Sequence, residues 1–64
     1  MNVKIDNVNY IFPEGCTIEK IMGRRLRSIV KLYLNGEAVD IKDCGKIILK
    51  DGDVLRSKRI QHMT

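Results

Sequence analysis

Few residues in this chain could do chemistry. The thiols are Cys16 and Cys44, the single imidazole is His62, and the carboxylates Asp51 and Asp53 flank Gly52. Cys16 stands just ahead of a predicted helix, where a thiol could serve as a nucleophile. No base and no second cysteine lie near it in sequence, so a structural thiol is the simpler reading. Cys44 falls in the most irregular loop, and pairing it with Cys16 would require both loops at the same end of a sheet. Two cysteines and one histidine do not make a zinc set of the usual spacing. His62, in a terminal segment, has nothing to orient it as a base and reads as a solvated residue. Asp51 and Asp53 read as turn chemistry, because aspartate side chains hydrogen-bond their own backbone in turns. What remains is charge: Arg24, Arg25 and Arg27 form one basic cluster, and Arg56, Lys58 and Arg59 form another. The resulting net charge of +4 permits an acidic protein surface or nucleic acid as partner and requires neither.

The elements that must position these groups are small. The chain has 64 residues, one domain near the lower limit for folding without a staple. That size leaves little room for a deep pocket or a catalytic constellation, so the chain reads as a binding protein and not an enzyme. A hydrophobic content of 44% and a charged content of 31% describe an ordinary globule. No apolar run approaches the roughly 20 residues needed to cross a bilayer, and no signal pattern opens the chain. The cysteine usage fits free thiols in a reducing compartment, so a cytoplasmic location is expected, without a cofactor.

Alternation at Val3 and Ile5, resumed at Tyr10 and Phe12 after the Asp6-Asn7-Val8-Asn9 cluster, predicts an antiparallel hairpin with one buried face. Ile11 then points the other way. Pro13 and Gly15 break the strand, and Thr17 is the expected helix N-cap. Ile18, Ile21, Met22 and Leu26 fall on one helical face, and Gly23 predicts a short or loosely ended helix. From Ile29 the period returns to two, placing Val30, Leu32 and Leu34 inward and Ile29, Lys31 and Tyr33 outward. Asn35-Gly36 is the strongest turn signal, and Val39 and Ile41 are assigned to a short returning strand. Residues 42–46 form a polar loop, Ile47, Ile48 and Leu49 re-enter the core, residues 50–53 turn, and residues 54–60 make the last strand. The expected order is β-β-α-β-β-β. The expected core is Val3, Ile5, Tyr10, Phe12, Ile18, Ile21, Met22, Val30, Leu32, Leu34, Leu49 and Leu55, with Ser57 a weak spot where another inward residue belongs.

In order and spacing, "PEGCTI" after a hairpin, "LNGEAV" after the helix and "LKDGDVL" before the last strand resemble the ThiS/MoaD-type sulfur carriers, closest to the ThiS side. The resemblance spans nearly the whole chain. It implies an α+β, ubiquitin-like β-grasp fold, a mixed sheet with one helix packed across it. Residues 1–60 would be the domain and residues 61–64 a flexible tail. It also implies partners, a ThiF-like (E1-like) adenylating enzyme or a thiazole synthase, in thiamine or sulfur-transfer metabolism. Carriers of this family end in Gly-Gly, whose carboxylate is adenylated and converted to a thiocarboxylate; glycines let such a tail thread a narrow channel. Here the corresponding positions hold about His62, Met63 and Thr64, and no glycine follows Gly52. The carrier residue therefore does not carry over, and no internal Gly-Gly exists for maturation to expose. The reading that follows is a non-conjugating docking relative, or the N-terminal domain of a fusion to an adenylating enzyme. The alternative is a small basic RNA-binding module of S4-like or TGS-like type, since a strand-NGE turn followed by a GD turn also occurs in S4 domains. S4 domains, however, place helices before that turn.

Two surfaces could serve docking. Arg56, Lys58 and Arg59 read either as a solvated edge strand guarded by charge or as a rim for an acidic partner, extended by Arg24, Arg25 and Arg27. Ile11, Tyr33 and Ile60 are expected on the face away from the helix, where together they would make an apolar docking patch. Tyr10, Phe12 and Tyr33 are the only aromatics, and at least two read as buried or half-buried, which leaves little for base stacking.

Overall fold

A computed structural model describes residues 1–59 of the protein. The chain opens with the hairpin of β1 (Asn2–Ile5) and β2 (Val8–Ile11). Asp6 and Asn7 both take positive φ, 48° and 69°, the backbone that a two-residue turn of the right twist requires and that these residue types tolerate. Val3 and Ile5 point into the core, and Tyr10, opposite Val3, stacks on Phe12 with ring centroids 5.9 Å apart.

The helix α1 (Ile18–Met22) has only five residues, too few to hold itself together in water. Its first-turn amides are satisfied from outside. Lys20 donates to the Thr17 hydroxyl at 3.2 Å, while Ile18 and Glu19 donate to the carbonyls of Ile47 and Cys44 at 3.2 and 3.0 Å. The 42–49 loop is thus bound to the helix start, and the Leu49 amide returns a bond to the Cys16 carbonyl at 2.9 Å. Gly23 ends the helix at φ 54° and ψ −128°, a conformation a side chain would strain. A 3-10 stretch over Gly23–Ser28 leads to the next strand.

There follow β3 (Ile29–Leu34), β4 (Glu37–Val39), a 3-10 turn over Ile41–Asp43, and β5 (Val54–Arg59). The five-stranded sheet runs β2-β1-β5-β3-β4; β1 and β5 are parallel and the other pairs antiparallel. The core lies between this sheet and α1, with Val3, Ile18, Leu32, Cys44 and Leu55 fully enclosed. Among the described residues, no helix is long and apolar enough to cross a membrane.

The element order is the expected one, and four assignments need correction. Val30 is not in the core: it is 57% exposed, whereas Ile29 is 7% exposed. The pairing of β3 with β5 shifts between Ile29 and Lys31, and this bulge reverses the alternation, so that Ile29 and Leu32 both face inward. Ile41 belongs to the 3-10 turn, because Asp40 caps that turn through a bond from the Lys42 amide at 3.0 Å. Of the 47–49 segment, Leu49 is buried and Ile47 half-buried, but Ile48 is exposed and joins Thr17 in an isolated bridge. Finally, β5 is not an edge strand but the centre of the sheet, so its charges do not guard an outer edge; only beyond Leu55, where β1 turns away, is one side of it open. Ile60, His62 and the boundary between domain and tail lie outside the described residues.

Candidate functional site

The parity of β5 decides where its charges go. Leu55 points into the core and Ser57 is half-buried on the same side, so Arg56 and Lys58 stand on the outer face of the sheet. Directly across on β3, Tyr33 pairs with Arg56 and Lys31 with Lys58. Tyr33 is half-buried, Ala38 of β4 lies beside it, and both basic partners are exposed.

The turn at Asp6-Asn7 closes this surface on one side. Asp6 accepts two bonds from the strand beside it, from the Ser57 amide at 2.8 Å and from the Ser57 hydroxyl at 2.7 Å. Ser57, the weak spot of the expected core, is in this way a fastening between β5 and the hairpin. Asp6, Asn7, Tyr33, Arg56, Ser57 and Lys58 line a concavity of about 470 Å³.

Three of the six expected docking residues, Tyr33, Arg56 and Lys58, therefore share one surface. Arg59 is exposed at the end of β5 opposite Ile29. The 3-10 stretch carrying Arg24, Arg25 and Arg27 runs directly into Ile29, so the two basic clusters meet at one end of the molecule. Glu37, Asp51 and Asp53 collect at the other end, around the turns before β4 and β5. Ile11 does not join the site. It is 83% exposed on edge strand β2 opposite Asn2, about 20 Å from Tyr33 by three strand spacings and four residues of rise. The expected apolar patch of Ile11 with Tyr33 does not form.

The groups that looked chemical are otherwise occupied. Cys16 and Cys44 are both buried free thiols. Burial pushes the Cys44 thiol pKa up, and the carboxylates of Asp43, Glu19 and Asp40 push it the same way, against thiolate formation. Asp53 accepts from the Lys50 amide at 2.8 Å and from the Asn35 side chain at 3.0 Å, and Asp51 accepts from the Asn2 amide at 2.6 Å. Both aspartates are turn fasteners. Among the described residues, no group of three or more side chains is placed to hold a metal ion. What sequence reasoning missed is Asp6, whose partner lies 51 residues away; its only local signal was a turn.

A hairpin, a helix laid across the sheet, and parallel first and last strands at its centre define a ubiquitin-like β-grasp domain. Among solved structures, the crystal structure of the thiamine biosynthesis protein ThiS from Geobacter metallireducens is similar over 100% of both chains, at a TM-score of 0.78 and 16% sequence identity. The fold is thus ThiS-like, as the sequence resemblance implied. No family model and no curated protein matches the chain.

Proposed function

We propose that these residues form a ThiS-like, sulfur-carrier-related module of thiamine or sulfur-transfer metabolism that acts by docking on a partner enzyme. The partner is a ThiF-like adenylating enzyme or a thiazole synthase. The docking surface is the outer face of the sheet around Tyr33, Arg56 and Lys58, with the exposed Arg59 beside it at the end of β5. The observation that carries the reading is the likeness to ThiS over the full length of both chains, at a TM-score of 0.78. The placement of Tyr33, Arg56 and Lys58 on one concave, cationic face supports it. An acidic protein surface matches that face by charge, and Tyr33 supplies an amphipathic anchor beside two cations.

The test is to mix the chain with a ThiF-like enzyme and to follow complex formation. The expected result is a saturable complex, and absence of a complex at low salt would overturn the docking role.

A further inference from the structure

The central strand of this sheet is covered on one side for only part of its length. The ladder of β1 on β5 has two residue pairs, Lys4 with Val54 and Ile5 with Leu55. The Asp6-Asn7 turn then carries the chain back into β2, while β5 runs on to Arg59 with β3 alone beside it. The Leu55 carbonyl accepts from the Asp6 amide at 3.0 Å, and the Ser57 amide donates to the Asp6 carboxylate at 2.8 Å. Leu55 and Ser57 therefore direct their backbone groups toward β1, and the alternation of a strand directs those of Arg59 the same way.

The Asp6 side chain stands where the carbonyl of a longer β1 would stand. It satisfies the Ser57 amide and ends the ladder there. The next rung, the Ser57 carbonyl with the Arg59 amide, has no strand opposite it among the described residues. This rung opens beside the concavity of about 470 Å³, with the Asp6-Asn7 turn as its end wall and Arg56 and Lys58 along it.

We propose that this notch takes an extended acidic segment of a partner protein, which adds as a short strand beside the end of β5. A strand is the occupant that fits, because the open rung presents one acceptor and one donor at backbone spacing. The acidic character follows from Arg56, Lys58 and Arg59 on β5 and Lys31 on β3, all exposed. Nucleic acid fits less well: it offers no matching backbone donor and acceptor, and Tyr33 is the only aromatic lining the concavity. The inference rests on the docking reading for the existence of a partner, and it specifies the kind of segment that partner must present.

The test titrates the isotopically labelled full chain with a synthetic peptide of alternating glutamate and valine, and in parallel with one of alternating lysine and valine. At low salt the glutamate peptide shifts the Ser57 and Arg59 amide resonances and slows hydrogen exchange at Arg59 by about tenfold or more, as a new backbone bond requires. The lysine peptide leaves both unchanged. The Arg56→Glu, Lys58→Glu double variant, whose exposed sites leave the fold intact, binds the glutamate peptide about tenfold more weakly. Several results overturn the proposal: no binding of the glutamate peptide, equal binding of the lysine peptide, or shifts without protection at Arg59. So does displacement of the peptide by an equimolar RNA oligonucleotide. The peptide needs no adenylating enzyme, so its failure beside persistent enzyme binding removes the notch and leaves the docking reading standing.

Discussion

Ile29→Thr and Val30→Thr place the same side chain at neighbouring positions and should have opposite consequences. Threonine keeps the branched β-carbon that strands favour, so backbone preference changes little at either site. At position 29, 7% exposed, the change removes about one methylene of buried apolar surface, worth roughly 0.8 kcal/mol, and encloses a hydroxyl, costing about 1–3 kcal/mol. The expected loss is about 2–4 kcal/mol, a large share of the roughly 3–10 kcal/mol available to a domain of this size. At position 30, 57% exposed, the hydroxyl stays in water and the change should fall within about 0.5 kcal/mol. Thermal unfolding followed by circular dichroism separates them, since about 1 kcal/mol moves the midpoint by roughly 4–8 °C in so short a chain. Ile29→Thr should lower it by on the order of 10–30 °C and Val30→Thr by a few degrees at most. Equal losses, or a greater loss at Val30, would refute the bulge and restore simple alternation along β3.

Three further outcomes follow from single contacts. In a double-mutant cycle, Asp6→Gly and Ser57→Ala should couple by about 1 kcal/mol; glycine avoids strain at the positive φ, and additive losses would mean that the fastening contributes nothing. Gly23→Ala should cost about 1–3 kcal/mol through backbone strain alone, because an added β-carbon meets nothing within 4 Å; a neutral result in urea unfolding would show that the helix end relaxes freely. With its thiol pKa raised in the fold, Cys44 should resist alkylation far longer than in the urea-unfolded chain. The neutral thiol's contribution is complete below the ordinary value of 9.0 and is lost as pH rises above it, so the fall in stability above that pH should be shallower in Cys44→Ala; identical alkaline profiles would contradict this.

The features legible in the sequence are those with local causes. Asn35-Gly36 takes φ of 51° and 85°, Thr17 caps the helix it was expected to cap, and Gly23 stops that helix after five residues. Order and spacing were enough to match a known fold. The misjudged features depend on partners far along the chain. No local pattern marks the shift opposite Arg59 that turns Ile29 inward and Val30 outward. The edge or centre position of β5 is set by its parallel pairing with β1, roughly 50 residues away. Tyr33, Arg56 and Lys58 were legible as outward-facing residues, because alternation holds on that part of both strands. Their enclosure by Asp6 and Asn7 was not, because it depends on where β1 stops.

The central claim, that the outer face of the sheet is a docking surface, is tested most directly by calorimetric titration of a ThiF-like adenylating enzyme with the full chain and with its Arg56→Glu, Lys58→Glu variant. Both substitutions lie on exposed positions, so the two proteins should unfold at nearly the same temperature. The account predicts a saturable complex with the parent chain and an affinity lower by about tenfold or more in the variant. Equal affinity for the two proteins would contradict it.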